Sequence, residues 1–264
     1  MAETENFFTD IWGHVSELLK RLRTVLFVLI VVMTIVSMAP LNFQALIEST
    51  SNAMYETVVT VVINRFITDL LPKGTILLPM NLFSPFISYL QVSILISIIL
   101  TSPVIFYEVY AFVSPALYTN EKRYVWLIVP SFTALFIFGA ALGYFVVTPI
   151  TFSVMINGYK ILGLSPMYEF ASFVDLAVGL ILATGLVFTF PVFFLLLVQF
   201  GLLKTEWISK QRKIIYIVLL VIIAILTPDP SPVDTIILYV PTVILMEISI
   251  FLGKRIEKAQ AKLR

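Results

Sequence analysis

The chain predicts an all-α membrane bundle with six crossings and both termini on one side, on three observations. Hydrophobic residues make up 59% of the 264 and charged residues only 12%, too much apolar area for a water-soluble globule to cover. The apolar residues fall in separate long runs rather than in one core-sized block. Lysine and arginine gather in alternate loops.

Taken in order, the apolar segments run roughly over residues 24–40, 85–108, 124–147, 171–199, 214–226 and 235–252. From Ile87 to Tyr107 there is no formal charge, which at 1.5 Å per residue gives about 30 Å of helix, the thickness of a hydrocarbon core. The fifth segment, Ile214 to Leu226, gives only about 20 Å, so it either thins the bilayer or re-enters it. A re-entrant fifth segment would strand the basic tail outside, so the crossing is the better reading. Pro103, Pro130, Pro191 and Pro241 fall inside four spans, where each removes a backbone hydrogen bond and bends its helix, consistent with a curved, concave bundle.

The first segment is preceded by Lys20, Arg21 and Arg23, the second-to-third loop carries Lys122 and Arg123, the fourth-to-fifth loop four more cations, and the tail five. Only Arg65, Lys73 and Lys160 remain for the opposite side. The positive-inside rule then puts both termini in the cytoplasm and the long loop 41–83 outside. Within that loop Tyr55, Val58, Val59, Val62, Phe66, Leu70 and Leu71 have helical spacing, which predicts an amphipathic helix packed against the bundle. Pro72 and Gly74 stop it. Glu3, Glu5, Asp10 and Glu17 precede the first apolar run, unlike a cleavable basic leader, so the first span is expected to stay in place. The whole of 1–264 reads as one membrane domain.

The chemistry on offer is narrow. With no cysteine and one histidine, His14, thiol nucleophiles, thiolate metal sites, histidine-paired nucleophiles and multi-histidine metal sites have no ligands to build on. No catalytic centre, metal, cofactor or nucleic-acid partner is expected. Glu17 lies on the helix feeding the first span and Glu121 in the next cytoplasmic loop. Two carboxylates on one membrane face suit a pair of guanidinium groups, through bidentate bonds that lysine reproduces poorly. Each also has cationic neighbours of its own, Lys20 and Arg21 in the case of Glu17. Glu247 is the acid well within an apolar span, a functional candidate unless it is protonated or paired. Glu108 reads as a solvated helix end, and Asp229 as a cap of the sixth helix together with Asp234.

Several blocks of residues then fall in one order. His14, Glu17, Arg21 and Leu22 are followed by Ser84-Pro85-Phe86, Pro103-Val104-Ile105, Phe112, Pro115, Leu117-Tyr118 and Glu121 to Arg123. After these come Gly143-Tyr144-Phe145 with Pro149, Phe188 with Pro191-Val192, Leu226 to Asp229, and finally Pro241, Glu247 and Phe251. In pattern and spacing this resembles the TatC family, the multispanning subunits of the twin-arginine protein translocase. Leu19 stands where that family usually has arginine, and Thr189 where many members have a glutamate.

The resemblance implies a receptor and scaffold in a prokaryotic cytoplasmic membrane that recognises twin-arginine signal peptides and helps export folded proteins. It implies TatA-like and TatB-like single-span partners in an oligomeric complex. It points to Glu17, Glu121, Phe112 and Arg21 for signal-peptide binding. Pro72, Pro115 and Tyr118 are implied as functionally sensitive positions, and Glu247, Thr189 and Asp229 as partner-facing or intramembrane polar positions. A secondary transporter or channel for a small solute is the rival. Against it stand the scarcity of charge in the spans and the absence of visible repeats.

Overall fold

The computed structural model describes residues 2–40, 56–72, 75–113, 125–163, 165, 167–199, 203–226 and 232–263. Glu121, Pro115, Tyr118 and Asp229 lie outside the described residues, as does the side chain of Asp234. The helices are α1 (Ala2–Met38), α2 (Val58–Leu70), α3 (Ser84–Val113), α4 (Val125–Leu142), α5 (Thr148–Ile161), α6 (Phe170–Gln199), α7 (Thr205–Lys210), α8 (Arg212–Leu226) and α9 (Pro232–Leu263). Two short strands, β1 (Ile76–Leu78) and β2 (Met167–Glu169), pair in parallel with Ile76 opposite Met167.

Among the described residues five stretches are long and apolar enough to cross a membrane: Val15–Met38, Ser84–Phe112, Ile128–Ile161, Phe170–Gln199 and Thr235–Lys258. They match the first, second, third, fourth and sixth apolar segments. The fifth is α8, whose 15 residues come to about 22 Å. It lies beside α9, with Arg212 against Glu247 at one end and Ile223 packed with Leu238 at the other. Consecutive rods alternate in direction. Ser37 near the end of α1 meets Ser93 and Tyr89 near the start of α3, whereas Arg21 in the first half of α1 meets Glu108 near the end of α3.

The third segment departs from its expected end at residue 147. The helix instead continues to Ile161 through a π turn, Gly143–Val147. Pro149 is the cause, because it brings no N–H for the carbonyl one turn back and its ring crowds that carbonyl. The ladder shifts by one residue, and both the N–H and the hydroxyl of Thr148 reach the Gly143 carbonyl, the hydroxyl at 2.8 Å. Pro149 is thereby absorbed within the helix.

Helix α6 lies at the centre, packed on α3, α4 and α9. Lipid tails are as apolar as leucine, so close backbone approach rather than exclusion of water holds such helices together. A Cβ on Gly139 would lie 2.8 Å from Phe188 Cβ, and one on Gly143 2.9 Å from Ile181 Cα. These two residues form a Gly-x-x-x-Gly face, running from α4 into the π turn, against which α6 settles.

The expected amphipathic helix is α2, and it buries Val59, Ile63, Phe66 and Leu70. They join Val36 of α1, Val92 and Leu95 of α3, and Phe152 and Phe173 in one cluster. Thr57 caps the helix by accepting from the Thr60 N–H at 3.2 Å, and it ends before Leu71 and Pro72. The Tyr144 hydroxyl donates to Asp69 at 2.7 Å and ties α2 to the π turn. With β1 and β2 it covers one end of the bundle; the opposite end holds the carboxylates.

Candidate functional site: a carboxylate pair around a guanidinium

At the end of the bundle away from α2, helix periodicity puts Glu17 and Arg21 on one face of α1, four residues apart. Arg21 Nη2 and Nε donate to Glu17 Oε1 at 2.7 and 3.2 Å. Its Nη1 donates to Glu108 Oε2 on α3 at 3.1 Å. One guanidinium is therefore shared by two carboxylates from two helices. Ser16, Glu17, Lys20, Arg21, Thr24 and Glu108 line a cavity of about 460 Å³ around it.

Glu108 corrects the sequence expectation. Its side chain is 16% exposed and ion-paired, less exposed than Glu17 at 32%, so it is not a solvated helix end. Periodicity within α3 cannot show this, because the partner sits 87 residues away on an antiparallel helix. One signal was available: Glu108 and Phe112 are four residues apart and share a face of α3. Phe112 is half-buried one turn beyond Glu108.

Arg21 enters the site as a donor, and a guanidinium has no acceptor with which to bind a second guanidinium. What the arrangement can do follows from that. The two carboxylates offer acceptor oxygens spaced for guanidinium donors, and one such cation is already seated.

Other positions resolve separately. Glu247 is paired: Arg212 Nη1 lies 3.1 Å from its Oε1, and the Tyr216 hydroxyl donates to the same oxygen. Arg212 and Tyr216 are one turn apart on α8, so the acid in the sixth segment pins α8 to α9, while its side chain stays 41% exposed. The Thr189 hydroxyl donates to the Leu186 carbonyl of its own helix at 2.7 Å, and the residue is buried. Pro72 is half-buried just past α2. The structure brings Glu17, Arg21 and Glu108 together, and leaves Thr189, Glu247 and Pro72 elsewhere.

Against known families, residues 13–241 match the model of the Sec-independent protein translocase protein, TatC. This chain belongs to the TatC family. It is 31% identical over 241 residues to TatC of Escherichia coli strain K12, covering 91% of this chain and 86% of that protein. TatCy of Bacillus subtilis strain 168 is 33% identical over 180 residues, covering 66% of this chain and 68% of the relative. A crystal structure of the twin-arginine translocase receptor TatC aligns with a TM-score of 0.69 and 26% identity, covering 92% of this chain and 99% of that one. TatC membership bears out the reading of a multi-pass membrane component of a protein translocase. It lends nothing to the solute-transporter alternative.

Proposed function

We propose that this TatC protein is the receptor and scaffold subunit that recognises twin-arginine signal peptides of folded cargo, with its carboxylates as the reading site. The observation carrying this is the Glu17–Arg21–Glu108 arrangement, which holds a guanidinium between two carboxylates in an accessible cavity. Cargo arginines take the carboxylate oxygens that Arg21 leaves open, with Glu121 as a further acceptor and Phe112 as an apolar contact one turn past Glu108. Lysine loses this contest because a point-charge ammonium cannot bridge two oxygens in a plane.

The same reading has six crossings, both termini in the cytoplasm, one membrane domain over 1–264 and a prokaryotic cytoplasmic membrane. Distribution of lysine and arginine supports the orientation. TatA-like and TatB-like single-span partners dock on the short α8 edge, where Ile217, Leu220 and Ile236 are exposed and Glu247 is the polar neighbour.

Photo-crosslinking of a twin-arginine peptide and its twin-lysine counterpart to the purified protein tests the receptor role. Glu17→Gln and Glu108→Gln should each weaken the twin-arginine crosslink, and the double variant should lose discrimination. Retained discrimination by a folded double variant would overturn the site.

A further inference from the structure

A second cavity, of about 480 Å³, lies between α4, α6 and α9 and is separate from the carboxylate site. Its walls are mainly apolar, with Ile128, Leu135, Val192, Leu245 and Leu252 among them. Along α9 it runs from Leu245 to Arg255, ten residues or about 15 Å. That is one leaflet's share of a hydrocarbon core of about 30 Å. A slot of that length and lining suits an extended acyl chain.

Charge marks one end. The Arg255 guanidinium stacks over the Phe251 ring at 4.7 Å from its centroid, which fixes it at the mouth. Lys254 and Lys258 are exposed to either side of it in the chain, and among the described residues none of these three cations pairs with a carboxylate. The nearest acid in the chain, Glu257, is turned away and accepts from the backbone N–H of Thr205, at 2.8 Å, and from its hydroxyl. The mouth is thus positive and unneutralised, while the slot behind it carries three polar residues, Ser131, Gln199 and Ser249.

We propose that this slot is a binding site for an anionic glycerophospholipid, with one acyl chain lying between α4, α6 and α9 and the phosphodiester held by Arg255. Arginine suits the task because its planar fork bonds two phosphate oxygens at once. Lys254 and Lys258 add attraction of the kind that draws polybasic segments to anionic leaflets. The site requires only that the protein sits in a membrane, so it stands apart from the signal-peptide reading.

Native mass spectrometry of the full chain in a neutral maltoside detergent tests it, with dioleoylphosphatidylglycerol and dioleoylphosphatidylcholine as probes. Phosphatidylglycerol should be retained about tenfold more strongly, a difference of about 1.4 kcal/mol, because both lipids offer a phosphodiester but the trimethylammonium of phosphatidylcholine cancels its charge and meets the cations of the mouth. Arg255→Gln should remove that preference. Ser249→Phe, which fills the slot from α9, or Ser131→Phe, which fills it from α4, should abolish retention of both lipids while the helical circular dichroism and the twin-arginine crosslink persist. Equal retention of the two lipids by the wild type would overturn the proposal, as would unchanged preference in Arg255→Gln. Displacement of the lipid by millimolar inorganic phosphate would also overturn it, because it would mean that the headgroup alone is bound and the slot is empty of chain.

Discussion

Removing the resident cation is the sharpest test of the carboxylate site, and Arg21→Gln does so with a shorter, uncharged amide. Among the charged groups lining the cavity, Glu17 and Glu108 balance Lys20 and Arg21, so the variant takes the site from neutral to a net charge of minus one. For a cargo cation about 6 Å away and an effective dielectric of roughly 20 to 60, one unit charge is worth about 1 to 3 kcal/mol. Screening at physiological salt halves this, leaving about 1 kcal/mol, or about fivefold in affinity. Glu17 Oε1 and Glu108 Oε2 also become free to accept. Titration of a fluorescent twin-arginine peptide into Arg21→Gln should therefore give about fivefold tighter binding at physiological salt, with the gain growing as salt is lowered. The thermal midpoint should fall, because α1 loses its ion pair to α3. Weaker or unchanged binding by the folded variant would refute the reasoning, since Arg21 would then be organising the carboxylates rather than occupying them.

Gly139→Ala, whose Cβ would come within 2.8 Å of Phe188 Cβ, should cost about 1–3 kcal/mol by overpacking, whereas Gly179→Ala, with nothing within 4 Å, should be neutral or stabilising; thermal unfolding in detergent compares them. Asp69 has a carboxyl held below its ordinary value of 3.8, first by the hydrogen bond from Tyr144, so its contribution is present above about pH 4 and is lost as pH falls through the depressed value. Amide exchange in α2 should accelerate in that acid window, and Asp69→Asn should abolish the acid dependence. The protein has no cysteine, so single cysteines introduced for Leu82 and Ile161 should react with an impermeant thiol reagent outside intact cells, while those replacing Glu206 and Lys254 should not; outside labelling of Glu206→Cys would break the six-crossing arrangement.

Most of the scaffold was legible because each feature depended on residues close in sequence. Helix α2 announces itself by spacing and by Pro72, and the apolar stretch of α8 is kept short by Arg212 and Lys213 at its start and by Pro228 after it. The third segment misled for the opposite reason. Gly143 and Pro149 carry breaker chemistry, yet Gly143 is glycine because Ile181 and Thr184 press against it, and Pro149 is accommodated by a one-residue shift of the ladder. The pairing of β1 with β2 joins three-residue strands far apart in the chain, too short for alternation to register. At the site, Glu17 and Arg21 were visible as a helical pair, while the ion pair of Glu108 with Arg21 became visible once α1 and α3 were set antiparallel and in register.

That register gives the carboxylates a second consequence. Among the described residues, helix α1 presents most of its apolar surface outward, Phe27 being 68% exposed, and supplies only Val36 to the buried core. In lipid such a face gains nothing by turning inward, so polar contacts must hold the helix in place. Among the described residues there are two groups of them, at opposite ends: Ser37 with Ser93 and Tyr89, and Arg21 with Glu108. On the receptor reading, cargo arginines compete for the second tie. A cation that takes Glu108 from Arg21 loosens α1 from α3 at that end while the Ser37 end stays fastened, so recognition and movement of the first helix draw on the same oxygen atoms.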